Sequence, residues 1–267
     1  MTAAAQQAPE RVTVNFSDPS KPGIVKVHVM LGSITVKGMN RKDVSVEAKS
    51  GTRIGEGRGA RGRGPTVVQR QDDVPAGLRR LTQPGGFSLE EENNELTISA
   101  SFGRSIDFEI QVPLRTSLKL SAVNGGEVVV DGVEGEVEAS NVNGSITLTN
   151  IAGSVMAHSV NGSVKAALTR VTPDKAMAFA SMNGNIDVTL PSSLKANLKL
   201  RSDQGDVFTD FDVQLRSASP TAAEDQRKGG GRFRIDVNKA IYGTINGGGQ
   251  EFELRTFNGN VYLRKGS

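Results

Sequence analysis

One short motif recurs through the C-terminal half of the chain. It reads VNGGEVVV at 123–130, VNGSITL at 142–148, VNGSVKA at 160–166 and MNGNIDV at 182–188. The asparagines of these four copies are 19, 18 and 22 residues apart, and a further copy, FNGNVYL, lies at 257–263. Self-similarity at a nearly fixed spacing is the sequence signature of repeat architectures, in which each unit packs against its neighbours. The repeat therefore constrains the fold more than any other feature.

Between the turns, apolar and polar residues alternate, which predicts strands with one buried face. No segment has the spacing of apolar residues that an amphipathic helix requires. A unit of 18–22 residues is too short for a propeller blade, which needs about 40 residues. We therefore predict an all-β fold, a single-chain β-solenoid (β-helix or β-roll) of short strands with Asn-Gly turns and 18–22 residues per coil. The roughly 210 residues outside two insertions would form about ten coils.

The Asn-Gly pairs have two structural interpretations. Asn and Gly both tolerate positive φ, so the pair is the strongest short-range signal for a tight turn. The asparagines Asn143, Asn161 and Asn183 could also stack coil upon coil as a hydrogen-bonded ladder. We expect these residues to have a structural role, and a ligand site is the alternative.

The positive charge of the chain is concentrated in one segment. The formal net charge is +3 and the sequence pI is 9.2. Residues 51–86 contain nine Gly, three Pro and seven Arg against three acidic residues, so this segment carries +4 and the rest of the chain 3 − 4 = −1. We expect residues 1–10 to be a disordered N-terminal segment and residues 11–267 to form one β-solenoid domain. That domain would carry a flexible Gly/Arg-rich insertion at 51–86 and a second loop insertion at 216–232.

The sequence GRGARGRG within the first insertion has the composition of segments that bind single-stranded nucleic acid. Arg58, Arg61 and Arg63 are therefore candidate contacts for a polyanion. The insertion has no aromatic residue for base stacking, and four net charges give only weak, salt-sensitive binding. A solvated loop is the favoured interpretation, and polyanion or nucleic-acid binding is kept as an alternative function.

The sequence offers little for catalysis. The chain has no cysteine, and its two histidines, His28 and His158, have the parity of outward-facing strand residues. We predict no catalytic, cofactor-binding or metal-binding residues. The alternative is a carbohydrate-active β-helical enzyme that uses the densest carboxylate set of the chain, namely Asp203, Asp206, Asp210 and Asp212.

The repeats VNGSITL and VNGSVKA resemble the bacterial putative-adhesin β-strand-repeat family, a domain of unknown function. The preceding stretch LKLSAVNGGEVVVDGVEGEVEAS and the ending YGTINGGGQEFELRTFNGNVYLRK share this resemblance. It is best from Ser117 to Lys265 and weaker from Arg11 to Ser50. It implies a β-helix or β-roll in a protein exported to the bacterial envelope, and it brings no catalytic residues with it.

These observations together predict a non-enzymatic structural or adhesin-like interaction module of the bacterial cell envelope. The expected location is the periplasm or the cell surface, although no signal peptide is visible in the sequence, and the cytoplasm is the alternative. An envelope glycan or protein is the expected partner, and nucleic acid is not. No apolar run is long enough for a transmembrane helix. End-to-end self-association is a further prediction, because terminal coils expose strand edges.

Overall fold

The computed structural model describes residues 10–50, 86–100, 105–216, 224–225, 233–234 and 240–266, and it contains strands but no helix in these ranges. Consequently these ranges include no helix that could cross a membrane. The strands are β1 (Glu10–Asn15), β2 (Gly23–Leu31), β3 (Ile34–Met39), β4 (Asp43–Ser50), β5 (Phe87–Glu92), β6 (Glu95–Ala100), β7 (Ile106–Pro113), β8 (Thr116–Asn124), β9 (Val128–Asp131), β10 (Glu136–Asn143), β11 (Ile146–Asn161), β12 (Val164–Val171), β13 (Met177–Asn183), β14 (Ile186–Pro191), β15 (Ala196–Gln204), β16 (Val207–Thr209), β17 (Gln214–Arg216), β18 (Glu224–Asp225), β19 (Phe233–Arg234), β20 (Ile241–Ile245), β21 (Gln250–Asn258) and β22 (Val261–Gly266). The prediction of an all-β fold is confirmed.

Except for the separate β18–β19 pair, the strands form two stacks that face each other across one core. Sheet 1 has the order β5, β6, β2, β8, β10, β11, β13, β21, β15, β20, β17. Sheet 2 has the order β1, β4, β7, β3, β9, β11, β12, β14, β22, β16. Strand β11 contributes to both, because its first half pairs in sheet 2 and its second half in sheet 1. One coil is a sheet-1 strand followed by a corner and a sheet-2 strand.

The core between the sheets is filled by the inward residues of the alternating pattern. Along β2 the residues Val25, Val27 and Val29 are buried, while the residues between them are partly or fully exposed. Three phenylalanines, Phe108, Phe179 and Phe252, are among the largest fully buried side chains. Alternate residues of each strand thus face the core, and burial of their apolar side chains stabilises the fold.

Coils do not stack in sequence order at the two ends of the fold. The β2–β3 coil lies between the β6–β7 and β8–β9 coils, and the last coil, β21–β22, lies between the β13–β14 and β15–β16 coils. The β2–β3 and β21–β22 coils are therefore paired on both sides.

Antiparallel strands lie at both ends of the stack. Strands β1, β4 and β5 pair antiparallel at one end, and β20 and β17 do so at the other. The expectation of about ten coils is therefore corrected to eight in the described residues. The remaining strands extend the sheets beyond the coils, and β1, β5 and β17 are short strands at the sheet edges, a common way to limit edge-to-edge pairing.

Candidate functional site

The asparagines of the repeated motif lie at the corner between sheet 1 and sheet 2, one per coil. The Asn143 side-chain amide donates to Asn124 Oδ1 at 2.7 Å, and Asn161 donates to Asn143 at 2.8 Å. Asn183 donates to Asn161 at 2.8 Å, and Asn258 donates to Asn183 at 2.7 Å. The three internal asparagines each donate one hydrogen bond and accept another. The ladder predicted from the sequence, Asn143, Asn161 and Asn183, lacked both end members, Asn124 and Asn258. The coil of Asn258 inserts out of sequence order.

A second row of hydrogen bonds runs inside the same corner. The residue two positions before the asparagine is Ser159, Ser181 or Thr256 in successive coils of the stack, and each is buried. Their hydroxyls donate to the glycine carbonyl oxygen of the neighbouring coil at 2.8–2.9 Å. Buried hydroxyls need such partners, because an unpaired buried polar group costs about 1–3 kcal/mol. Sequence reasoning missed this row, although Ser or Thr recurs two positions before Asn.

The glycine of the motif is required by close packing rather than by φ in three coils. Gly144, Gly162 and Gly184 have no left-handed φ, whereas Gly125 and Gly259 do. A Cβ placed on Gly162 would overlap the carbonyl of Gly144 in the neighbouring coil. These corners also connect strands of two different sheets, so they are not hairpin turns. The positive φ that motivated the turn interpretation therefore does not explain these three glycines.

The two histidines are exposed on the outward face of sheet 1, as predicted. His28 pairs in register with Ser121, Ser121 with Ser140, and Ser140 with His158. Three strand spacings of ~4.8 Å put the histidines about 14 Å apart. The structure does not bring the two imidazoles together.

The aspartate set is spread around the last corner. Asp203 forms an ion pair with Arg201 at 2.7 Å on the outward face of sheet 1. Asp206 lies beyond the corner, and Asp210 Oδ1 accepts the backbone N–H of Lys265 at 2.7 Å. Asp212 is exposed. Within the described ranges, no group of three or more His, Asp or Glu residues is placed to hold a metal ion.

The candidate polyanion contacts Arg58, Arg61 and Arg63 lie outside the described residues, as do residues 1–9 and most of 216–232. Residues 51–85 connect β4 to β5, and the chain between β17 and β20 includes the second predicted insertion. The domain boundaries and the polyanion contacts stay predictions.

The position just before each asparagine forms an apolar row on the outward face of sheet 1. Strand register aligns five such residues in consecutive coils, namely Val123, Val142, Val160, Met182 and Phe257, and adds Met30, which precedes Leu31 in the β2–β3 coil. Val142 is 38% exposed, Phe257 44% and Met182 52%. Sequence reasoning did not identify this row, although an apolar residue at an outward position breaks the alternating pattern.

Cross-coil ion pairs neutralise charged residues on the same face. Lys199 Nζ lies 3.0 Å from Glu253, and Lys119 Nζ lies 3.7 Å from Glu138. Lys26 pairs with Glu95 in the same way. The hydrogen bond from Lys199 to Glu253 raises the pKa of the lysine above its usual value, so the lysine is charged at neutral pH. These contacts fix charged groups around the apolar row without supplying a reactive one.

The fold and its corners define a class of protein: an all-β, solenoid-like scaffold in which the repeated residues hold neighbouring coils together. The Toastrack DUF4097 family model matches residues 115–264. The chain belongs to this family, which supports the resemblance seen in the sequence. No curated protein matches the chain.

Two solved structures are similar over almost the whole chain. One is a "putative cell adhesion protein" of Clostridium sporogenes ATCC 15579, with 13% identity and a TM-score of 0.47 over 97% of this chain and 100% of that one. The other is a "putative adhesin" of Bacteroides fragilis NCTC 9343, with 9% identity and a TM-score of 0.39 over 97% of each chain.

Proposed function

We propose that this chain is a non-enzymatic interaction module of the bacterial cell envelope, serving a structural or adhesin-like role. The proposal rests on one observation: the side chains of the repeated motif make contacts between neighbouring coils. The motif Asn and the preceding Ser or Thr form hydrogen bonds to neighbouring coils, and the glycine allows those coils to approach. Side chains that are occupied in this way build a scaffold, and the outward faces of the sheets are left to make contacts.

The scaffold is suited to this role because it presents side chains at a fixed spacing. Each coil adds one strand to each sheet, so outward residues form rows that run the length of the stack. Rows of this kind form a large binding surface on rigid strands, so binding does not require a loop to move. Binding in repeat proteins commonly uses such extended surfaces.

The envelope location is tested by expressing the tagged gene in its native chromosomal context and fractionating the cells. We expect the protein in the periplasmic or envelope fraction. Recovery in the cytoplasm, with a periplasmic marker correctly separated, would contradict the proposal.

The interaction role is tested by retention of the purified chain on isolated bacterial envelopes. We expect saturable retention that is lost when the chain is unfolded in urea. The enzymatic alternative is tested in parallel by incubating the chain with the same envelopes and with acidic polysaccharides, with and without Ca²⁺. Release of new reducing ends that is abolished by Asp206→Asn would favour the carbohydrate-active enzyme instead.

A further inference from the structure

The outward face of sheet 1 loses its charged residues at the middle of the stack. Strand β11 presents Met156, His158 and Val160 there, and β13 presents Ala178, Ala180 and Met182. The adjacent strands, by contrast, carry Glu and Arg or Glu and Ser at equivalent positions. We call the six residues of β11 and β13, with Val142 and Phe257 beside them, the central patch. Met156 is 43% exposed and Met182 52%.

The central patch shares two features with a protein interface, because it has no Lys, Arg, Asp or Glu and contains Met156, Met182 and Phe257. Interface cores are depleted of charged residues and enriched in Met, aromatic residues and Arg. Methionine is also common where a surface must adapt to a partner, because its side chain is flexible and polarizable. The patch has this character in two neighbouring coils, bordered by Phe257 of the third.

One uncompensated cation lies at the border of the central patch. Arg255 is exposed, next to Ala180 in register and two positions from Phe257. Neighbouring Arg201 is paired with Asp203, and Lys199 with Glu253. Within the described part of the chain, no ion pair or hydrogen bond involves the Arg255 guanidinium. A guanidinium in this position favours a carboxylate, which it can bind through two hydrogen bonds.

Two symmetric arrangements of a second copy on the central patch bring like charges together. A two-fold axis along the strands, placed between β11 and β13, would put Glu138 opposite Glu253 and Lys119 opposite Lys199. A two-fold axis along the stack, through the row that contains Ala180, would put Arg255 opposite its own copy. Like charges placed opposite each other disfavour an interface. A symmetric dimer about either of these two axes is therefore disfavoured.

A lipid surface is a poor match for the same face. Electrostatic binding to anionic membranes uses clusters of four to eight Lys or Arg residues. In the described part of the chain, the strands of this face carry two cations without an ion pair, Arg255 and Arg216, and they lie on separate strands. The apolar residues of the central patch are also about half buried, so they do not project as wedges into a bilayer.

We propose that the central patch docks an amphipathic segment of a different protein, with apolar side chains over Val160 and Met182 and a carboxylate against Arg255. This inference rests on the proposed function, since it names the face and the kind of partner through which the module acts. The partner is recognised by its pattern, an apolar stripe bordered by an acidic residue.

The probes are two fluorescein-labelled 18-residue amphipathic peptides with the same Leu and Ala face. One carries Glu and the other Lys beside that face, and binding to the full chain is followed by fluorescence anisotropy. We expect the acidic peptide to bind better. Met182→Lys should raise the dissociation constant of the acidic peptide at least about tenfold, which corresponds to about 1.4 kcal/mol of binding free energy. Arg255→Glu should reverse the preference between the two peptides. Met39→Lys is the matched control, because Met39 is 46% exposed on β3 of sheet 2, and it should change nothing.

Circular dichroism melts show whether each variant is folded. The inference is overturned if neither peptide binds, or if Met182→Lys binds the acidic peptide as well as the unmodified chain does. A concentration-dependent dimer in light scattering that Met182→Lys abolishes would assign the patch to self-association. Co-sedimentation with phosphatidylcholine and phosphatidylglycerol vesicles that Met182→Lys abolishes would assign it to lipid. If neither peptide binds while the unmodified chain is still retained on envelopes, the docking inference fails and the proposed function stands. If the unmodified chain is not retained on envelopes, the proposed function fails whatever the peptides do.

Discussion

Replacing a corner glycine by alanine should destabilise the chain because neighbouring coils can no longer approach. At Gly162, an added Cβ would overlap the Gly144 carbonyl and lie 2.8 Å from Ser145 N. Ordinary contacts between carbon and other heavy atoms are about 3.5–4.0 Å. The obstructing atoms belong to the backbone, so no side-chain rotation can relieve the overlap, and the two coils must separate.

Separation of these coils weakens three hydrogen bonds. They are the bonds from Ser159 to the Gly144 carbonyl at 2.9 Å, from Asn161 to Asn143 at 2.8 Å and from Ser163 N to Ser145 Oγ at 3.3 Å. With a net value of about 1 kcal/mol for each hydrogen bond, the loss is about 3 kcal/mol. We expect Gly162→Ala to lower the free energy of unfolding by about this amount.

Gly125→Ala is the matched control. Gly125 has φ +86° and no heavy atom within 4 Å of an added Cβ, so only backbone strain opposes the substitution. That strain is worth about 1–2 kcal/mol. Urea unfolding followed by circular dichroism compares the two variants. If Gly162→Ala is no less stable than Gly125→Ala, close coil packing is not the reason for the motif glycine.

Three further predictions concern the corner and the carboxylates. Ser159→Ala should lower the free energy of unfolding by about 1–3 kcal/mol, because it removes the buried hydroxyl that donates to the Gly144 carbonyl. Asn161→Ala should lower it by less, because Asn161 is exposed. Equal shifts in melting temperature would contradict this. Hydrogen bonds from Ser20, and then from Lys21, lower the pKa of Asp18 from 3.8 to about 2. Any stability from this carboxylate is thus present above pH 4 and lost as the pH falls towards 2. Carboxyl NMR titration should show a midpoint near 2 that rises in Ser20→Ala, and an unchanged midpoint in that variant would refute the cause. Ca²⁺ should not raise the melting temperature, and a rise that Asp206→Asn abolishes would reveal a metal site.

Strand residues and their inward faces could be predicted well from the sequence. Alternation places Val128 and Val130 inside, and the structure buries both. The regular Asn-Gly spacing identifies Asn143, Asn161 and Asn183 as neighbours along the stack, and they are joined by hydrogen bonds. These features are local, because the parity of a strand residue depends only on its position within a few residues of the turn.

The central patch could not be predicted from the sequence alone. Met182 and Phe257 are 75 residues apart in the chain and adjacent in the stack, since the last coil inserts beside the β13–β14 coil. The unpaired state of Arg255 likewise depends on which residues the neighbouring coil brings beside it. Both facts require the order of the coils, which the repeat does not encode.

The all-β repeat architecture, the corner motif and the face to which each strand residue points follow from the local sequence. The order of the coils, the antiparallel strands at both ends and the contiguity of the apolar row depend on contacts between distant parts of the chain. The physical reason is that a repeated motif makes coils nearly equivalent as neighbours. Which coil lies beside which is then selected by long-range packing and by the pairing of the strand edges.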